Sequence, residues 1–244
     1  MAEQHGQVPG VCCITCPLRQ HNEWCVLTEA ETRLLEGSRK SWEFAAGDAV
    51  FSVGEPSLGV YCVASGVVAI RKIDTAGHAI PTRLVYHSDI FGYRGLLLDV
   101  NRRYSAQALC PSRICFVDKS VVKTLLERNP ALGQQFLQRI VADLEEAHDQ
   151  LMRNATQSNR SKFLRLLLMF LSHHGRTAKD GSQYIALPLS RRDLASMIGT
   201  RQETLSRIIG RLEEDGLARF SGRTVHLPRL DSLLREIQRP SQFA

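Results

Sequence analysis

The sequence lacks a long hydrophobic run. Its longest apolar stretch, Phe163–Leu171, covers about nine residues and is interrupted by Arg165, whereas a helix that crosses a bilayer needs roughly 20 apolar residues. The first ten residues, MAEQHGQVPG, have neither a cationic start nor an apolar segment, so we expect no signal peptide. These absences predict a cytoplasmic protein with no membrane partner.

Motifs typical of several enzyme classes are also missing. The chain has no phosphate-binding glycine loop, no nucleophile elbow and no paired-histidine metalloprotease motif, which argues against an enzyme. With 244 residues, 43% hydrophobic and 23% charged, it is long enough for one large or two modest domains.

The positive charge is confined to the C-terminal third. From residue 161 to 244 there are 14 Lys and Arg against 8 Asp and Glu, whereas the first 160 residues hold 17 of each. The whole net charge of +6 therefore lies in one region, as expected of a domain that binds DNA phosphates.

Four of the seven cysteines fall in the first 25 residues, at Cys12, Cys13, Cys16 and Cys25. In a reducing compartment such thiols are metal ligands or buried groups rather than disulfides, and their clustering favours a soft metal or an iron–sulfur cluster. A flexible, oxidisable tail is the alternative interpretation.

The spacing leaves the ligand set open. All four thiols could hold a structural zinc, although adjacent ligands would strain a tetrahedral site. If Cys13, Cys16 and Cys25 act together, a fourth ligand must come from elsewhere in the chain. The candidates are Cys62, Cys110 and Cys115, and Cys62, within a β-branched run, is most simply a buried hydrophobic residue.

Short strands dominate the next part of the chain. Leu27–Leu35 reads as an amphipathic helix capped by Thr28, and residues 41–118 then alternate β-runs with glycine turns, which predicts a barrel or roll. The clearest runs are 60–63, 67–70, 83–86 and 113–117.

A long helix is predicted over residues 131–154. An apolar stripe along it recurs at spacings of four, four, four, three and four, close to a coiled-coil seam, so we expect a dimer helix rather than one lying on its own domain. The stripe comprises Leu132, Phe136, Ile140, Leu144, Ala147 and Leu151. A hinge over 154–161 and a scaffold helix over 161–172 follow.

Residues 190–214 predict a helix-turn-helix. Ser190 caps the first helix, whose apolar face is Leu194, Met197 and Ile198, and Gly199 breaks it before a second helix begins near Thr200 or Arg201. The second helix presents polar groups that suit base edges in a major groove. They are Arg201, Gln202, Glu203, Ser206 and Arg207. An ordinary buried helix pair with a solvated charged side is the alternative.

A hairpin of residues 217–220 and 224–227, with a strand over 186–189, completes a winged helix-turn-helix. We therefore predict an α+β protein with four segments. They are a cysteine-rich segment (1–28), a β-roll (29–128), a dimerisation helix with its hinge (129–158) and a DNA-binding domain (159–244).

The order of these parts resembles the CRP/FNR superfamily of bacterial transcription regulators along essentially the whole chain. The segment AAGDAVFSVGEPSLGVYCVASGVVAI looks like the start of that family's cyclic-nucleotide-type roll. Glu203, Ser206 and Arg207 match the E-x-x-S-R pattern of its oxygen-responsive FNR branch, and so does the N-terminal cysteine cluster. Ala106–Leu109 followed by Cys115 resembles the stretch that leads to the fourth cluster ligand.

The resemblance implies a [4Fe-4S] cluster on Cys13, Cys16, Cys25 and Cys115, with Cys12 as an alternative ligand. In that branch, oxygen breaks down the cluster, and the dimer and its DNA binding are lost.

For the DNA-binding part, the resemblance implies an activator that contacts RNA polymerase and controls anaerobic or redox-linked genes. Arg207 and Glu203 would read the G·C pair of a TTGAT-type half-site, and Ser206 a neighbouring base. Asp149 resembles a position whose charge opposes dimerisation until the cluster is in place.

Other signals are consistent with the same DNA module. Nitric oxide, general redox stress or a small molecule could replace oxygen, and a metal-binding electron-transfer protein is a further alternative. A cyclic nucleotide is disfavoured, because Tyr93 follows Gly92 where that branch carries an acid, and no Arg directly precedes Ser105.

Overall fold

A computed structural model describes residue 8 and residues 12–238 of the chain. Contacts divide the protein into two compact units, with the division after Leu144. No helix in the described ranges is long and apolar enough to cross a membrane.

The first unit is a β-roll with helices on one side, as predicted. Its elements are α1 (Glu29–Ser38), β1 (Lys40–Phe44), β2 (Ala49–Phe51), β3 (Gly59–Ser65), β4 (Val68–Ile73), β5 (Ala79–Val85), β6 (Ile90–Phe91), α2 (Tyr93–Leu97), β7 (Ser105–Ala108), β8 (Ser112–Asp118), α3 (Lys119–Arg128) and the beginning of α4 (Pro130–Thr156).

Two antiparallel four-stranded sheets enclose the core of the roll. Their strand orders are β1-β8-β3-β6 and β2-β7-β4-β5. Inward-facing side chains from both sheets form one cluster, which includes Phe44, Phe51, Tyr61, Phe91 and Phe116. Strand alternation explains it, because every second residue of β3 and β8 points into the roll.

The other face of the first sheet carries a second core. Val60 of β3 and Val117 of β8 point outward and are covered by α1, α3 and the first two turns of α4. The helix residues that pack there include Leu35, Leu125 and Leu132. We call this surface the outer face of the sheet.

Residues 12–26 form a segment that packs at the outer face. It contains two short 3₁₀ helices, Pro17–His21 and Glu23–Val26. Helix α1 follows and begins with a capping box in which Thr28 and Glu31 satisfy each other's backbone groups. We call residues 12–26 the cysteine segment.

Helix α4 starts in the core and ends with an exposed side. Leu132 and Phe136 are buried, but Leu144 and Leu151 are more than half exposed. A four-residue step advances an α-helix by about 400°, so a stripe spaced by fours drifts roughly 40° per step around the helix. The predicted stripe therefore leaves the core face after Phe136.

The second unit contains the end of α4 and the remaining elements. They are α5 (Asn159–His174), β9 (Gly175–Thr177), β10 (Gln183–Ala186), α6 (Arg191–Met197), α7 (Gln202–Glu214), β11 (Arg219–Ser221), β12 (Thr224–Leu227) and α8 (Leu230–Gln238). The strands form one sheet in the order β11-β12-β10-β9.

The predicted elements of this unit are present with shifted ends. The hinge predicted over eight residues is short, because α4 extends to Thr156 and Ser158 already caps α5. The strand predicted over 186–189 lies earlier, at Gln183–Ala186, where it pairs with β12.

The buried and exposed sides of α4 predict different effects for two neighbouring substitutions. Phe136→Ala should lower the free energy of unfolding of the first unit by about 3–5 kcal/mol, because it removes a buried aromatic ring. Leu137→Ala should change it by less than about 1 kcal/mol, because Leu137 is 60% exposed. Urea unfolding at low protein concentration measures both, and equal losses would contradict this placement of the helix.

Candidate DNA-reading surface and thiol site

Two helices of the second unit form the expected helix-turn-helix. The Ser190 hydroxyl accepts a hydrogen bond from the Asp193 backbone N–H at 3.1 Å, which caps α6. Gly199 has a φ of 70°, a conformation that glycine adopts without strain, and it turns the chain before Gln202 begins α7. Leu194 and Leu205 are buried between the helices.

The outer side of α7 carries polar groups. Gln202, Glu203, Ser206 and Arg207 are exposed, and Arg201 is the exposed N-cap residue. The opposite side buries Leu205, Ile209 and Leu212. The side chains predicted to contact bases therefore share one solvent-facing side of a helix.

Basic residues flank this helix. Arg191 and Arg192 are exposed in the first turn of α6, and Arg219 and Arg223 are exposed at the β11–β12 hairpin. The hairpin turns at Gly222, with a φ of 59°. Cations on either side of a reading helix suit the phosphates that border a groove.

At the other end of the chain, hydrogen bonds hold the cysteine segment on the outer face. The Cys13 backbone N–H donates to Glu36 Oε2 at 2.6 Å. The Ser88 hydroxyl donates to the His21 carbonyl at 3.0 Å, and Asn22 Nδ2 lies 3.7 Å from Cys62 Sγ. These contacts lay Cys13–Asn22 across the sheet.

Charged groups surround Cys13. Hydrogen bonds from Arg39, with those from Cys13, hold the pKa of Glu36 at about 2. Burial, strengthened by the adjacent Glu36 carboxylate, raises the pKa of the Cys13 thiol. The Arg39 guanidinium acts to lower the pKa of the same thiol. The pKa of Arg39 is itself raised, mainly by its hydrogen bond to Glu36 and also by the nearby Cys115.

Cys115 and Cys62 stand side by side under this segment. They are direct partners in the antiparallel pairing of β8 and β3, so both point to the outer face. On its other side Cys115 is paired with Ser41 of β1, and its Sγ lies 3.9 Å from the Ser41 hydroxyl. Burial raises the pKa of Cys62, with further contributions from the nearby thiols of Cys115, Cys16 and Cys13.

The remaining cysteines lie differently. Cys25 is exposed, because the Glu23–Val26 turn buries Glu23 and Trp24 instead. Cys12 is partly buried in the turn before Cys16, and Cys110 lies in the loop between β7 and β8. Of the predicted cluster ligands, Cys13 and Cys115 lie at the outer face, Cys16 is partly buried in the cysteine segment, and Cys25 is exposed.

The described residues do not form a ready-made site for a single metal ion. Within residues 12–238, no three His, Cys, Asp or Glu side chains are placed to hold one metal ion. A cluster spaces its thiolate ligands more widely, because each binds a different iron. Cys13, Cys62 and Cys115 lie at one partly buried face and are soft donors of the type that an iron–sulfur cluster binds.

The Glu23–Val26 turn connects this site to α4. The Trp24 ring packs edge-on against Phe136, with 5.7 Å between centroids. The Val26 carbonyl accepts from Asn129 Nδ2 at 3.2 Å. Glu23 is 5% exposed and lies 4.0 Å from Arg139. Burial raises the pKa of Glu23.

One carboxylate on α4 binds the roll. Asp143 contacts Arg83 of β5 at 2.6 Å and Arg94 of α2 at 3.2 Å, and it accepts a hydrogen bond from Tyr93. Arg139, one turn earlier, lies 3.4 Å from the same carboxylate. The start of α4 is therefore fixed to the roll by charge as well as by packing.

The interior of the roll is filled by its own side chains. The Arg102 guanidinium is 2% exposed, lies 4.3 Å from the centre of the Phe51 ring and donates to the carbonyls of Gly92 and Gly59. The ring of Tyr61 packs 5.3 Å from that of Phe51. These groups occupy the space between the sheets.

The exposed apolar side of α4 differs from the predicted stripe at its start. Phe136 is 3% exposed and packs in its own unit, so it does not belong to that side. Ile140, Leu144 and Leu151 do, together with residues that the sequence analysis missed. The additional members are Leu137, Val141 and Met152.

Two other predicted interface residues are exposed. Ala147 lies on the exposed part of α4. The Asp149 side chain is 70% exposed and lies 3.6 Å from Arg153 of the same helix. Its charge is therefore partly balanced within its own chain.

Known proteins match both units. A family described as "Cyclic nucleotide-binding domain" matches residues 41–129, and one described as "Crp-like helix-turn-helix domain" matches residues 162–236. "Nitrogen fixation regulation protein FixK" of Bradyrhizobium diazoefficiens is 26% identical over 84% of this chain and 84% of its own.

"Transcriptional activator protein anr" of Pseudomonas aeruginosa is 27% identical over 77% of this chain and 75% of its own. The solved structure of FixK2 from Bradyrhizobium japonicum has a TM-score of 0.68 at 22% identity, covering 81% of this chain and 96% of that one. The structural similarity to FixK2 supports the same fold for this chain.

The filled roll predicts that cyclic nucleotides do not bind there. Cyclic AMP or cyclic GMP at about 1 mM should leave the melting temperature unchanged, because Arg102 and the aromatic rings occupy the interior. A site with a Kd of about 10 μM would instead stabilise the fold by about 2.7 kcal/mol. Thermal unfolding followed by circular dichroism makes this measurement, and a clear upward shift would contradict the prediction.

Proposed function

Because the chain belongs to the CRP/FNR superfamily of DNA-binding transcription regulators, we propose that it is a homodimer whose DNA binding depends on an iron–sulfur cluster and is lost in oxygen. Proteins of this family are regulators rather than enzymes. The observation that supports the proposal is that Cys13 of the cysteine segment packs on the outer face with Cys62, and Cys62 is the direct cross-strand partner of Cys115.

A cluster bound at this face supplies an oxidisable group whose ligands come from both the segment and the sheet. Cys13, Cys16, Cys25 and Cys115 would provide the four thiolates, with Cys12 as an alternative ligand. These ligands would tie the cysteine segment to β8, in addition to the hydrogen bonds that the segment makes with its surroundings.

The segment passes this restraint to α4. Trp24 contacts Phe136 and Glu23 pairs with Arg139, so a change in the Glu23–Val26 turn alters the packing of the helix. A bound group shifts a conformational equilibrium only to the extent that it binds one conformation more tightly than the other. Here the preferred state is the one in which the turn is seated on α4.

The exposed side of α4 supplies the dimer contact. Apolar residues that are 38–65% exposed recur along it from Ile140 to Leu151, close to the spacing of a two-stranded coiled coil. A second copy of the same helix would cover them. A two-fold dimer places two reading helices about one DNA turn, roughly 34 Å, apart.

Each α7 then reads one half-site. Arg207 can donate two hydrogen bonds to guanine, and Glu203 can accept one from the N4 of cytosine, which suits the G·C pair of a TTGAT-type sequence. Ser206 is exposed on the same helix and contacts a neighbouring base. The family resemblance also favours RNA polymerase as a partner at activated promoters.

Anaerobically purified protein should absorb in the visible region, and air should bleach it with loss of specific DNA binding. The absorption spectrum and fluorescence anisotropy on a TTGAT palindrome report the two events in one sample. Nitric oxide without oxygen, applied to a parallel sample, tests the alternative signal. A colourless protein that binds the same DNA equally well in air would refute the cluster proposal.

Replacing Arg207 by Ala should weaken binding to the palindrome by about 1–3 kcal/mol and relax the preference at a single base pair. The matched control is Arg211→Ala, which removes the same charge one turn later on α7. That variant should keep the preference for the G·C pair. Anisotropy titrations with wild-type and G·C-substituted duplexes measure both, and identical behaviour of the two variants would reject the assignment.

A further inference from the structure

The sheet of the second unit has one buried and one exposed face. Ile185 of β10 and Val225 of β12 are direct partners and are fully buried. The Phe220 ring of β11 stacks on Phe163 of α5 with 6.1 Å between their centroids. Residues that alternate with these along the strands therefore point away from α5. We call the side on which they lie the wing face.

One row of side chains crosses the wing face from edge to edge. Arg176 of β9 is the partner of Tyr184 of β10. Tyr184 in turn pairs with His226 of β12, and His226 pairs with Arg219 of β11. The Tyr184 and His226 rings stack with 4.6 Å between centroids, and both arginines are exposed. The row therefore has an aromatic centre and a cation at each edge of the sheet.

The next row of the wing face, toward the tip of the β11–β12 hairpin, consists of small residues. Ala186 is the partner of Thr224, and Thr224 is the partner of Ser221. All three are exposed. The surface forms a groove of about 410 Å³ here, and its lining includes Ala186, Thr224, His174 and Tyr184.

Arginines border this groove on two sides. Arg176 lines it from the row of stacked rings. Arg223 is exposed at the hairpin turn, where its carbonyl accepts a hydrogen bond from the Leu187 N–H at 2.8 Å. A carboxylate, that of Asp180, lies in the β9–β10 loop at the opposite end of these strands, where it accepts hydrogen bonds from Ser182. The groove is therefore on the cationic part of the wing face.

The groove suits the backbone of a nucleic acid. Its small side chains let a strand approach closely, and arginines on either side can bind successive phosphates. The hydroxyls of Thr224 and Ser221 are also groups that donate to phosphate oxygens in protein–DNA complexes. The domain around the groove carries the whole net charge of +6. A polyanion is therefore the partner that shape and charge favour.

The position of the groove indicates which part of the DNA it would meet. The buried side of α7 faces α5, so the reading helix and the wing face lie on opposite sides of the sheet. Packed layers are separated by about 10 Å, and this corresponds to about three base pairs at 3.4 Å each. The wing face is thus displaced from the half-site that α7 reads.

We propose that the wing face binds the phosphate backbone of the DNA that flanks each half-site. Arg176, Arg219 and Arg223 contact phosphates, and the strand lies in the groove between them. The inference rests on the proposed reading of a half-site by α7, because that contact brings DNA to the hairpin. It adds a second contact that reads no base, so its strength depends on duplex length and salt concentration.

The test compares two duplexes, with the full-length protein prepared without oxygen. One ends at the palindrome, and the other is extended on each side by about one helical turn, roughly 10 bp. Wild-type protein should bind the extended duplex more tightly. Arg176→Ala removes two phosphate contacts per dimer, so it should flatten the logarithmic dependence of affinity on salt by about 1.8 on that duplex. On the short duplex it should match the wild type.

Two further variants make the comparison specific. Arg165→Ala is the matched control, because Arg165 is exposed on α5, on the other side of the sheet, and it should behave as wild type on both duplexes. Thr224→Glu adds a carboxylate to the groove and should weaken binding to the extended duplex only. Circular dichroism melting checks that each variant is folded.

Equal wild-type affinities for the two duplexes would overturn the proposal, as would identical salt dependences for Arg176→Ala and Arg165→Ala. Loss of transcription activation in Arg176→Ala with unchanged DNA affinity would overturn it too, because the wing face would then bind a protein. In each of these cases specific binding to the short palindrome remains, and the proposed function with it. Failure of the wild type to bind the short palindrome would instead refute the reading of the half-site.

Discussion

The packing of Trp24 against Phe136 is the contact on which the arrangement of the cysteine segment depends. Between residues 12 and 26, Trp24 is the one apolar side chain that is almost fully buried, at 4% exposure, and burying an aromatic residue is the largest apolar contribution that so short a segment can make. The adjacent Glu23 lies against Arg139. Because both partners are on α4, the position of the segment and the position of that helix are set together.

The same contact explains why the positions of the cysteines in the fold could not be predicted from their spacing. Spacing along the chain gathers Cys13, Cys16 and Cys25 into one motif, but a 3₁₀ turn shows opposite sides to the core and to solvent. Trp24 takes the buried side and leaves Cys25 outside. The proximity of Cys62 to Cys115 depends on the register between β3 and β8, which strand alternation alone does not define.

Elements with a strong local signal were predicted well. The capping box of α1, the strands of the roll, Gly199 in the helix-turn-helix and the exposed polar side of α7 all follow from short-range patterns. The apolar stripe of α4 was predicted less well, because the spacing of apolar residues does not show which of them pack in the core of the first unit and which are exposed. Phe136 continues the spacing of the stripe and yet belongs to the buried face.

The two faces of the first sheet have separate roles for a physical reason. Inside the roll, Arg102 lies over Phe51 and donates to two backbone carbonyls, so the space between the sheets is occupied by the protein itself. On the outer face, the polar row of Ser41, Cys115 and Cys62 lies within an otherwise apolar surface. Thiols grouped in this way gain little from burial alone, since burial opposes their ionisation. The two faces therefore differ in chemistry: the interior is filled by the roll's own aromatic and guanidinium groups, whereas the outer face carries the thiols on which the proposed cluster depends.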